Sequence, residues 1–158
     1  MRLLATAHDR NHYDITRDGQ PVAALTLRVG ALGRIELASG AILLLQREAP
    51  LAGRYTIAAE GAGATRTLLR ATRPSPLRRA YGITIGDHLY TLRAETPWRG
   101  DYLLIEGADA ATGAIRQAAR GRDATADLPD ALPPDAAIAL FCFVLALWRQ
   151  GNARVDTI

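Results

Sequence analysis

Ala136-Ala137-Ile138-Ala139-Leu140-Phe141-Cys142-Phe143-Val144-Leu145-Ala146-Leu147-Trp148 is the longest apolar run in the chain, thirteen residues without a charge. Leu132-Pro133-Pro134-Asp135 precedes it and Arg149-Gln150-Gly151 follows it. Proline suits the first helical turn and Asp135 the positive N-terminal end. Arg149 suits the C-terminal end and Gly151 the C′ position. The stretch predicts a helix over 134–150, about 25 Å long at 1.5 Å per residue. Ile138, Leu140, Phe141, Phe143, Val144, Leu145, Leu147 and Trp148 cover its whole circumference. A helix that is apolar all round belongs inside something. Burying those eight side chains yields roughly 12–24 kcal/mol gross, an upper bound. That exceeds the net stability of a whole domain, about 5–15 kcal/mol. A membrane span needs about 20 apolar residues, so the surroundings are expected to be protein.

The rest of the chain reads as strands. In Arg34-Ile35-Glu36-Leu37-Ala38, Ser39-Gly40, Ala41-Ile42-Leu43-Leu44-Leu45, a two-residue loop would set Leu37 opposite Ile42 and Ile35 opposite Leu44. In Tyr81-Gly82-Ile83-Thr84-Ile85, Gly86-Asp87, His88-Leu89-Tyr90-Thr91-Leu92, a glycine-first loop suits a type II′ turn. It pairs Ile83 with Tyr90 and Tyr81 with Leu92. Further strands fall near 3–7, 13–16, 22–29, 54–59, 65–71, 102–106, 113–119 and 125–128. Asp18-Gly19 marks another hairpin, where Pro21 opposite Thr16 disturbs the alternation and suggests a bulge or a longer loop. That makes about twelve short strands. An eight-stranded barrel is filled by its own side chains, whereas an eleven-stranded can holds a helix. The predicted fold is mainly β: a closed antiparallel barrel of about twelve strands enclosing its own hydrophobic C-terminal helix. Residues 1–150 form one domain in this reading, and 151–158 a flexible tail.

Composition agrees. The 158 residues suit one domain, and 49% apolar with 22% charged excludes disorder. The single cysteine, Cys142, excludes an internal disulfide framework. All nineteen basic residues are Arg, giving a net charge of +3 and a pI near 9.5. The absence of Lys reads as genomic base composition. His8, Asp9 and Arg10 interrupt the N-terminal segment too early for a signal-peptide core. The expected location is cytoplasmic, with a peripheral membrane contact left open.

Many short strands followed by one wholly hydrophobic terminal helix resemble the tubby C-terminal-like superfamily. It contains the tubby proteins, the phospholipid scramblases and the plant LURP-one-related proteins. The residues that carry the resemblance are the strand-turn-strand run 81–92 and the helix 136–148. A bacterial-type member is implied. Tubby proteins are phosphoinositide binders that use basic residues on the barrel wall, so the resemblance implies lipid binding. Those residues have no one-to-one counterparts here. Scramblases carry an acidic calcium-associated segment beside the helix. Asp123, Asp127, Asp130 and Asp135 occupy that region but lack EF-hand spacing. No functional residue is carried over.

Residues 61–86 contain Arg66, Arg70, Arg73, Arg78 and Arg79 and no acid. A guanidinium fork pairs bidentately with phosphate, which makes these five the candidate anion or lipid contacts. The alternative is a solvated barrel exterior with an exposed loop over 73–79. No aromatic interleaves the arginines, which argues against nucleic acid held by stacking. Gly61-Ala62-Gly63-Ala64-Thr65-Arg66 lacks the Gly-Lys-Ser/Thr ending of a phosphate loop. His8 and His12 are spaced for one helix face but sit in a turn, so no metal site is assigned. Ser39 and Ser75 lie in turns without a nucleophile elbow, and Cys142 reads as an inert core thiol. Trp98 is a candidate interface anchor or a lid over the barrel mouth. No cofactor and no enzymatic activity are expected. Two functions stay open: a module for anionic lipid head groups such as phosphoinositides, and a protein-interaction scaffold.

Overall fold

Alternating inward side chains carry twelve strands around one closed ring. The structure is a computed structural model describing residues 1–28, 32–49, 53–60, 66–74, 79–96, 100–108, 110–119 and 121–156. The strands are β1 (Arg2–Ala7), β2 (His12–Arg17), β3 (Gln20–Arg28), β4 (Leu32–Leu37), β5 (Ile42–Ala49) and β6 (Arg54–Ala59). They continue as β7 (Arg66–Thr72), β8 (Ala80–Ile85), β9 (His88–Ala94), β10 (Tyr102–Glu106), β11 (Ala111–Gln117) and β12 (Ala124–Asp127). One helix, α1 (Pro134–Asp156), follows. Each strand pairs antiparallel with its chain neighbours, and β12 returns to β1 through Arg2↔Asp127 to Ala5↔Ala124. Closure leaves no edge for another chain to extend.

The helix is enclosed as the sequence predicts. Residues 136–146 are all buried, and Phe141 and Leu145 are 0% exposed. They meet inward residues such as Ile35, Leu69, Ile83, Leu92 and Ile115 in a single core. Phe143 packs against Tyr55 and Tyr81, with ring centroids 5.3 Å away in both cases. The helix end differs from expectation. It runs through Gly151 to Asp156, so 151–156 continue the helix. Glycine inside a helix costs about 1 kcal/mol, which is a penalty and not a stop signal.

The two hairpins behave differently. β8–β9 has the predicted register, Ile83↔Tyr90 and Tyr81↔Leu92. Gly86 at φ +59° supplies the first residue of its II′ turn. β4–β5 is shifted by one residue: Ile35 pairs with Leu43, and Leu37 N–H bonds Ala41 O. The loop is Ala38-Ser39-Gly40, a type I turn closed by Gly40 at φ +92°. Leu43 and Leu45 therefore point inward, while Ile42 and Leu44 are half-buried on the wall. The Asp18-Gly19 hairpin has both features anticipated for it. Asp18 and Gly19 take positive φ, Pro21 faces Thr16, and a bulge restores alternation beyond Thr16.

Antiparallel meandering puts the β1–β2, β5–β6, β7–β8 and β9–β10 connections at one end of the barrel. The helix terminates there. Trp148 donates its indole N–H to Gly100 O, and Arg149 Nε donates to Asn11 Oδ1 at 2.7 Å. Among the described residues no helix is long and apolar enough to cross a membrane.

Candidate anion-binding surface

Strand register decides which arginines are neighbours. Arg66 begins β7 and Arg73 follows its end, so the two lie roughly 23 Å apart at about 3.3 Å per residue. Arg66 is thus separated from the rest of its acid-free stretch. Arg70 sits mid-strand, facing outward opposite Thr56 on β6 and Thr84 on β8. Arg73 and Arg79 flank the β7–β8 connection and are half-buried. Arg78 and Trp98 lie outside the described residues.

Pairing brings in two arginines that the linear reading passes over. Arg54 faces Thr72, and Arg93 faces Ala80. Arg54, Arg70 and Arg93 surround a floor of Thr72, Gly82 and Thr91, which face one another across β7, β8 and β9. Spacings of about 4.8 Å between strands and 3.3 Å along them put the three Cα atoms roughly 8–17 Å apart. The signal for Arg93 was present in the sequence, since the β8–β9 register sets it opposite Ala80. Arg54 carries no such local signal.

Several arginines elsewhere on the wall are paired with carboxylates. Arg2 pairs with Asp127 at 3.8 Å, Arg34 with Glu36 at 3.5 Å and Arg116 with Glu95 at 3.3 Å. Among the described residues, the exposed guanidinium groups of Arg54, Arg70 and Arg93 take part in no ion pair or hydrogen bond. Arg47 and Arg79 sit over tyrosine rings, 5.9 Å from the Tyr55 centroid and 5.7 Å from that of Tyr102. These cation–π contacts hold two further positive charges at the barrel mouth. Gly53, at φ +59°, carries the chain into β6 close beside Arg73, whose N–H bonds Gly53 O at 3.0 Å.

Other polar groups do not converge. His8 contacts Asp14, and His12 Nδ1 lies 2.8 Å from Asp9 Oδ1. Each histidine thus has its own carboxylate. Asp14 raises the His8 pKa above 6.5 through hydrogen bonding and charge. Backbone and histidine donors lower that of Asp9. Among the described residues no group of three or more His, Cys, Asp or Glu side chains is arranged to hold a metal ion. Burial pushes the Cys142 thiol far up, and Ser39 Oγ accepts a turn N–H from Ala41.

No protein-family model and no curated protein matches the chain. Among solved structures it is similar to a protein from Arabidopsis thaliana determined by X-ray crystallography, at 13% identity and a TM-score of 0.58. The match covers 91% of this chain and 88% of that one. The likeness is one of fold. A barrel filled by its own helix leaves the outer wall and rims for chemistry, and the sector of Arg54, Arg70 and Arg93 is a basic part of that wall.

Proposed function

We propose that the chain is a non-enzymatic binding module for anionic lipid head groups, peripheral to a membrane, and that it belongs to the tubby C-terminal-like superfamily. The superfamily reading is supported by twelve strands closed around a terminal helix. The function rests on one observation: Arg54, Arg70 and Arg93 stand without an ion pair around a hydroxyl-bearing floor, with Arg73 and Arg79 beside them. Guanidinium groups favour phosphate. Every described Tyr, Phe and Trp is buried. Among the described residues the wall therefore offers no aromatic for base stacking and no aromatic anchor of the kind that dominates protein interfaces. A surface that recognises charge without apolar pockets suits a plane of phosphates.

Flotation with phosphatidylcholine vesicles, with and without phosphatidylserine or a phosphoinositide, tests this. Binding is expected only with anionic lipid. It should vanish near 1 M salt, where the Debye length is about 3 Å. Each guanidinium near an anionic leaflet contributes about 1 kcal/mol. Arg54→Gln/Arg70→Gln/Arg93→Gln should thus weaken binding on the order of 100-fold. Equal recovery on neutral and anionic vesicles refutes the reading.

A further inference from the structure

Resting on that reading, we propose that the barrel meets an anionic bilayer end-on, by the rim where α1 terminates, with the opposite rim turned to solvent. The observation is a separation of charge along the barrel axis. Where β5–β9 reach the helix-terminating rim they carry Arg47, Arg54, Arg73, Arg79 and Arg93. Among the described residues the acids of that whole rim are Asp9, Asp14, Glu48, Glu95, Asp101 and Asp123. Glu95 pairs with Arg116, and Asp9 and Asp14 with His12 and His8, while Arg10, Arg28, Arg122 and Arg149 add further positive charge. At the other end of the same sector stand Glu60 and Asp87 with Arg66, and Glu106 closes the neighbouring β10 there. The rim where the helix begins adds Asp135, and Asp130 paired with the N-terminal ammonium at 2.7 Å.

A net charge of +3 draws the whole molecule weakly, so this polarity sets the pose. The partial charge at a helix C-terminus, roughly half an elementary charge, is too small to cancel five guanidinium groups. Lying the barrel on its side would bring Glu60, Asp87 and Glu106 to the leaflet along with the arginines. Standing it on end removes them. From Arg54 to Glu60 is six residues, about 20 Å along the strand and roughly 15 Å along the axis at a tilt near 40°. That is about two Debye lengths at physiological ionic strength, where one is ~8 Å. The acids are then screened from the leaflet while the arginines sit within reach of it. Arg54 begins β6 and Arg93 is one residue from the end of β9, both at that rim, so wall and rim present one basic shoulder.

An environment-sensitive fluorophore on single introduced cysteines tests the pose in the full chain. Pro74→Cys lies just past β7 on the basic rim. Leu89→Cys lies on β9 near the opposite rim, at a side chain 68% exposed. Cys142 is enclosed in the core and escapes labelling. With phosphatidylserine vesicles, the label at position 74 should shift to the blue and brighten while that at 89 stays unchanged. Equal responses, or a larger response at 89, overturn the end-on pose. So does flotation in which neither label responds. Loss of flotation on anionic vesicles in the unmodified chain is a different result: it removes the lipid reading itself, and the pose with it.

Discussion

Truncating Phe143 to alanine should cost about 4–5 kcal/mol. The ring is 1% exposed and lies between Tyr55 and Tyr81, at interplanar angles of 57° and 87°. Removal of a buried Phe costs about 3–5 kcal/mol, the spread reflecting how far the site collapses. Here the surroundings are a closed antiparallel wall and a helix enclosed within it, so collapse is restricted and the upper end applies. Each lost aromatic contact, one tilted and one edge-on, accounts for about 0.5–1.5 kcal/mol of the total. The loss would take up a large share of the roughly 5–15 kcal/mol that holds a domain. With a urea m-value near 2 kcal/mol/M, the midpoint should fall by about 2 M at unchanged slope. Phe143→Leu keeps most of the volume and forfeits the ring contacts, so a loss of about 1–3 kcal/mol is expected. It remains measurable if the alanine variant fails to fold. A loss below about 1 kcal/mol for both variants would show that the ring is not enclosed, and the barrel-around-helix reasoning would fail.

Two further predictions concern the β11–β12 seam and the β1–β2 turn. A Cβ on Gly113 would lie 2.8 Å from Asp127 O and 3.3 Å from Leu128 Cδ2, so Gly113→Ala must move backbone. It should destabilise by about 1–3 kcal/mol, read as a lower melting temperature. His8 should titrate above 6.5 by NMR because Asp14 favours its charged form. Its stabilising contribution is fully present below 6.5 and is lost as pH rises through the folded pKa. Asp14→Asn should return the titration toward 6.5 and remove that pH dependence. An unchanged His8 titration in the variant would show that the contact is not made in solution.

The parts legible in the sequence are those with strong local signals. Run 136–148 declares itself because no polar face exists to share with water. The β8–β9 hairpin declares itself because Gly86-Asp87 sets the turn and alternation holds on both sides. The β4–β5 register was not legible. Ile42, Leu43, Leu44 and Leu45 are all apolar, so periodicity cannot say which alternate pair faces inward. One extra loop residue exchanges the two pairs. The helix end was misplaced because Gly151 is compatible with either continuing or ending the helix.

Residues 61–86 advertise five arginines as one group, yet a strand is long enough to hold Arg66 and Arg73 at opposite ends of a barrel. Arg54 and Arg93 reach Arg70 through cross-strand pairing, which joins residues far apart in the chain. Sequence by itself determined the class of the fold, because hydrophobic burial is a local property of composition and period. Tertiary structure alone decided which leucines fill the interior, which charges share a surface and which end of the barrel is basic. Those are properties of register and closure, and they exist only once all twelve strands have found their partners.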